Sequence, residues 1–175
     1  SCKERALGLK KTSLLLFIFM FSLFLSGCRQ KCSVTPLVRG ISFSCTVKYY
    51  NECYEGDVSV AENGDTDIKI TSPEGLSGLI LHYKGENATA EYSGLNYKYN
   101  ISEMPEGMAF TYLYEMLRAA EKGEVCLEDD KYFTENKNGS RICRLYLGAT
   151  GLPISAEDAS NGFSAEFKNV TVMGK

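Results

Sequence analysis

From residue 41 onward, apolar and polar positions alternate with period two, almost to the C-terminus. In residues 41–49, Ile41, Phe43, Cys45, Val47 and Tyr49 share one face, and Ser42, Ser44, Thr46 and Lys48 share the other. That is the pattern of a strand with one buried and one wet side. The same alternation predicts strands over 54–60, 67–71 (Ile68 and Ile70 inward), 79–83, 88–92 and 95–101, separated by turns at Asn63-Gly64, Gly85-Glu86-Asn87 and Ser93-Gly94. Further strands are expected over 124–128, 131–135, 141–147, 152–157 and 163–172, with Asn138-Gly139 as a hairpin turn. One-sided alternation of this kind belongs to an antiparallel meander, because a parallel sheet buried on both faces would read as continuous apolar runs.

One stretch breaks the period. Over 105–121, Ala109, Leu113, Met116, Leu117 and Ala120 recur at helical spacing, Pro105 stands where a first helical turn tolerates proline, and Gly123 follows the end. One helix is too small to cover so many strands if they lie flat, so the sheet must curl. The expected fold is mostly β (α+β): a strongly curved antiparallel sheet forming an incomplete barrel, covered by one main α-helix.

Ahead of the patterned region, Lys10 and Lys11 precede an almost wholly apolar run over 13–26, closed by Gly27 and Cys28. At about 1.5 Å per residue the run is short for a hydrocarbon core of about 30 Å, but it has the length of a signal-peptide core. Its end, Leu25-Ser26-Gly27-Cys28, resembles the bacterial lipobox. The resemblance implies cleavage between Gly27 and Cys28 and a diacylglyceryl anchor on the Cys28 thiol, with chains such as palmitate holding the protein on the outer side of the cell membrane. Two chains matter, since each buried methylene contributes about 0.8 kcal/mol and a single chain binds only marginally. The expected organisation is a lipoprotein signal peptide over 1–27, a lipidated tether over 28–39 and one domain over 40–175.

The leader takes four of the 19 basic and one of the 22 acidic residues, so the remaining chain carries a charge of about −6. With no basic stripe to neutralise phosphates, nucleic acid is not an expected partner. Five cysteines remain beyond the leader and Cys28, namely Cys32, Cys45, Cys53, Cys126 and Cys143. An odd number cannot all pair, and their pairing stays open. No Cys/His spacing points to zinc or redox chemistry, and no cofactor is expected.

The single histidine, His82, falls out of phase with Leu79, Leu81 and Tyr83 and should face away from them. Gly75-Leu76-Ser77-Gly78 is not the GxSxG elbow of a serine hydrolase and reads as a turn. The acidic run Glu128-Asp129-Asp130 falls at an expected hairpin turn, where such residues are solvated, and it lacks the EF-hand spacing. No catalytic residue is assigned, and an enzyme is not expected.

Several turn and strand-end motifs carry a family resemblance: Tyr54-Glu55-Gly56, the stretch Thr71-Ser72-Pro73-Glu74-Gly75-Leu76-Ser77-Gly78-Leu79, the step Tyr92-Ser93-Gly94-Leu95, and Thr150-Gly151-Leu152-Pro153. In this order the domain resembles lipid-anchored proteins of Firmicutes, of the Clostridia type, and is similar to the lipoprotein-carrier superfamily of LolA, LolB and LppX. The resemblance implies a half-barrel around an apolar cavity that holds acylated lipid. Met104, Met108, Phe110, Tyr112, Leu113, Met116 and Leu117 on or beside the helix, with the inward tyrosines Tyr83, Tyr92, Tyr97 and Tyr99, are the candidate wall of such a cavity. The same side chains could simply be core. The sequence therefore leaves two readings: a tethered lipoprotein that binds a lipid or other hydrophobic ligand, or a solidly packed interaction lipoprotein that engages an envelope partner. A continuous cavity between helix and sheet separates them.

Overall fold

The computed structural model describes residues 30–103, 108–138 and 141–174. Residues 31–175 form one compact unit. The proposed leader, Gly27, Cys28 and Met104 lie outside the described residues, and so does Pro105.

This unit is built from strands β1 (Ile41–Tyr49), β2 (Glu52–Val60), β3 (Thr66–Ser72), β4 (Ile80–Lys84), β5 (Asn87–Tyr92) and β6 (Leu95–Asn100). Helix α1 (Ala109–Ala120) follows, then β7 (Val125–Glu128), β8 (Lys131–Asn138), β9 (Arg141–Leu147), β10 (Pro153–Asp158) and β11 (Phe163–Val172). Their spatial order is β7-β8-β9-β10-β11-β1-β2-β3-β4-β5-β6, and each neighbouring pair in it runs antiparallel. Two meanders thus join where β11 returns beside β1, while β6 and β7 stand far apart in the order and leave the barrel open. The connection between those two strands must traverse the sheet, and α1 is the part of it that crosses the apolar face.

The alternation in the sequence becomes cross-strand rows. Phe43, Val58, Ile68, Leu81, Ala90 and Tyr97 form one row on the covered face. Val47, Ala165, Ala156, Leu145, Thr134 and Val125 form another. Against them α1 buries Ala109, Leu113, Met116, Leu117 and Ala120, the stripe that its spacing predicts, together with Phe110. Phe110 is seated over Gly56, where a Cβ would come within 3.2 Å of the ring and 2.9 Å of the Lys69 carbonyl. Burial pushes the Cys45 thiol, in the same core, up to about 12, with the Asp57 charge adding to the effect.

Strand ends differ little from expectation, but two differences matter. The helix begins at Ala109 rather than at residue 105, because Met108 is extended (φ −78°, ψ 104°). β10 runs one residue past the expected end and so includes Asp158. Two motif turns have plain structural reasons. Ser93 and Gly94, both at positive φ, make the tight turn between β5 and β6. Gly151 (φ +84°) has its Cα where a Cβ would lie 2.1 Å from the Thr35 carbonyl oxygen, and its own carbonyl accepts the Leu37 N–H at 2.9 Å. That glycine docks residues 35–37 on the β9–β10 turn.

Candidate ligand-binding surface

Helix α1 is held to the sheet by polar contacts on both flanks. On one side the Tyr112 hydroxyl donates to Asp158 Oδ2 and lies 3.0 Å from Cys143 Sγ. Asp158 is fully buried and also accepts from the Ser160 hydroxyl and, at 2.9 Å, the Ser160 N–H. Burial works against its charge, but the bonds from Ser160, Tyr112 and Cys143 outweigh it and hold the carboxyl below its ordinary range. Burial, reinforced by the bond to Asp158, pushes the Tyr112 phenol well up. On the other side the Tyr83 hydroxyl pairs with Thr111 Oγ1 at 3.0 Å, and the Tyr114 hydroxyl donates to the Gly85 carbonyl at 2.9 Å. The Tyr83 and Tyr114 rings stack at 4.6 Å. Arg118 pairs with Glu86 at 2.6 Å.

Beneath the helix the space is filled. Tyr83, Phe110, Leu113, Met116 and Leu117 are buried core residues, and Met108 and Tyr112 pack against them. The gap between Met116, Ala119 and Ala120 on α1 and Thr134, Cys143 and Leu145 on the sheet is about 10 Å³, room for one water at most. These side chains, expected either as pocket wall or as core, therefore stand as core in this conformation, and the continuous helix–sheet cavity expected of the ligand reading is not open among the described residues.

The covered face continues past the helix. Leu95, Tyr97 and Tyr99 of β6 point to the same side as Leu81 and Tyr83, as does Tyr92 of β5. Tyr99 is 9% exposed, but Tyr92, Tyr97 and Leu95 are 43%, 70% and 76% exposed. Tyr92 and Tyr97 are on the inward face, as their phase predicts, but they are not enclosed. A helix of twelve residues is about 18 Å long and cannot cover a sheet of this width. The result is an uncovered apolar strip along the last two strands of the sheet, continuous with the core at Tyr99. The Tyr97 and Tyr99 rings lie 6.1 Å apart with planes 25° from parallel, and the buried Tyr99 hydroxyl has no hydrogen-bond partner among the described residues.

No family model matches the sequence, and no curated protein does. Solved structures similar to the chain include an uncharacterized conserved protein from Thermus thermophilus, 11% identical, covering 79% of this chain and 82% of its own, with a TM-score of 0.49. A LolA superfamily protein from Nitrosomonas europaea is 11% identical over 77% of this chain and 86% of its own, with a TM-score of 0.39. A DUF1329 family protein from Desulfovibrio piger is 9% identical over 76% and 85%, also at 0.39.

Two further clefts lie elsewhere on the domain. One of about 630 Å³ runs along the charged flank of α1 past Arg39, Asp65, Glu86, Arg118 and Lys122. Another of about 550 Å³ lies at the β7–β8 and β9–β10 turns, beside Tyr132, Tyr146 and Ile154. His82 is on the outer face, as expected, with Nδ1 2.7 Å from Asp67 and Nε2 3.7 Å from Glu91. The stretch containing Ser77 forms a short 3-10 turn (Glu74–Leu76) in the β3–β4 loop. Asp129 and Asp130 occupy the turn after β7. Among the described residues no cluster of His, Cys, Asp or Glu is placed to hold a metal ion, and no helix is long and apolar enough to cross a membrane. Sequence reasoning missed Asp158. Its phase with Ala156 was a visible signal, but nothing local marks it as the partner of Tyr112.

Proposed function

We propose that this chain is a non-enzymatic lipoprotein, tethered through Cys28 on the outer face of a cell membrane, that binds a lipid or other hydrophobic ligand along the concave side of its half-barrel. The observation that carries the reading is the uncovered strip of Tyr92, Leu95 and Tyr97, in register with and continuous with the buried Ala88 and Tyr99. A monomeric domain gains nothing from leaving such side chains open, and covering a Leu-sized group recovers about 1.5–3 kcal/mol. An acyl chain laid on the strip would meet aromatic faces and then the edge of the core at Tyr99. A ligand that went further, under α1, would have to displace packed side chains.

The test is native mass spectrometry of the membrane-extracted protein before and after solvent extraction, with palmitate and phosphatidylglycerol added back. The expected result is an adduct of lipid mass that is lost on extraction and much reduced in Leu95→Asp/Tyr97→Asp. A clean apo mass that ignores both lipids would overturn it. The filled interior favours the second reading in that event, a packed interaction lipoprotein with an envelope partner.

The anchor has its own test. Cys28→Ser should abolish incorporation of labelled palmitate and move the protein out of the membrane fraction. Acyl labelling and membrane retention that persist unchanged in Cys28→Ser would refute the lipobox assignment and leave the ligand question standing.

A further inference from the structure

β6 ends the strand order, and among the described residues no strand pairs with its outer side. A bare six-residue edge with exposed apolar side chains is a template for another strand. We propose that the strand that completes it is β6 of a second copy of this chain, paired antiparallel about a two-fold axis through Tyr97.

The sequence of β6 is complementary to itself in that register. Tyr97 faces its own symmetry mate, and Leu95 faces Tyr99 of the second copy. All of these lie on the concave side, because residues directly opposite in an antiparallel pair share a face. On the outer side, Lys98 meets Asn96 of the second copy in both symmetry-related pairs, so no like charges oppose each other. A shift by one residue would set the concave face of one copy against the outer face of the other and break the apolar continuity. In the two-fold register the uncovered strips of the two copies become one trough. Six-residue strands bury little, so the dimer is weak in dilute solution. Confinement of both copies to one membrane would raise their effective concentration. The pairing does not depend on what the trough binds.

The experiment is analytical ultracentrifugation of the full chain in mild detergent over a concentration series, with variants on the outer side of β6. Asn96→Lys stands opposite Glu91 within its own sheet, so the fold is kept, while in the dimer it meets Lys98 of the second copy. Two such pairs should weaken dimerisation roughly 2- to 30-fold, and adding Lys98→Glu to Asn96→Lys should restore it. Amide exchange of β6 should slow as concentration rises. A chain that stays monomeric throughout would overturn the proposal and leave the edge to a different partner. A dimer whose affinity ignores the charges at residues 96 and 98 would overturn it as well.

Discussion

Asp158→Ala is expected to lower stability by about 1.5–3 kcal/mol, and hence Tm by roughly 3–12 °C, because it removes the fully buried carboxylate that accepts from the Tyr112 hydroxyl and from both Ser160 donors. The same change frees one flank of α1 while the Tyr83–Thr111 flank stays paired. Hydrogen exchange should therefore rise first in the helix and only later in the sheet. Tyr112→Phe removes the contact from the other partner and should cost about 1.5–3 kcal/mol. If Asp158 and Tyr112 act as one unit, the double variant will be clearly less destabilised than the sum of the two single ones; simple additivity would sink that account. The pH dependence has a definite sign. The folded carboxyl titrates below its unfolded value, so its contribution is complete above about pH 4 and is lost as pH falls through the lower folded value. Acid unfolding of Asp158→Asn should lack that component, and an unchanged acid limb would count against it.

Leu113→Ala is expected to cost about 2–5 kcal/mol, since Leu113 is fully enclosed at the centre of the helix–sheet contact and the surrounding strands cannot collapse onto the space left behind. A denaturant titration should show a lower midpoint with the same slope. The cavity would lie under α1, where the present interior is filled, so this variant also probes the ligand reading. If a hydrophobic ligand extends from the strip toward the core, Leu113→Ala should bind it more tightly than the parent chain. Unchanged binding would confine the ligand to Tyr92, Leu95 and Tyr97.

The strands and the buried stripe of α1 were legible because they rest on short-range geometry. A strand turns its side chains over every residue and a helix returns them every three or four, so Ile41 to Tyr49 and Ala109 to Ala120 declare their faces without reference to anything distant. The same logic put Tyr92 and Tyr97 on the inward face, and His82 on the outward one. The curling of the sheet was also expected, since one helix could not cover so many strands lying flat.

What covers each side chain was decided only in three dimensions. Phase says which way Tyr83 and Tyr97 point, but Tyr83 is buried and Tyr97 is open because the short helix lies over one and stops before the other. The union of Tyr112 with Asp158 joins positions 46 residues apart, through a strand on the far side of β11 and a helix that crosses the sheet. No local pattern carries that pairing. The sequence by itself determined the faces of the elements, because those follow from the backbone period. The tertiary structure decided which faces meet, which carboxylate is buried and which edge stays bare, because these depend on how strands distant in the chain are ordered and how far one helix reaches.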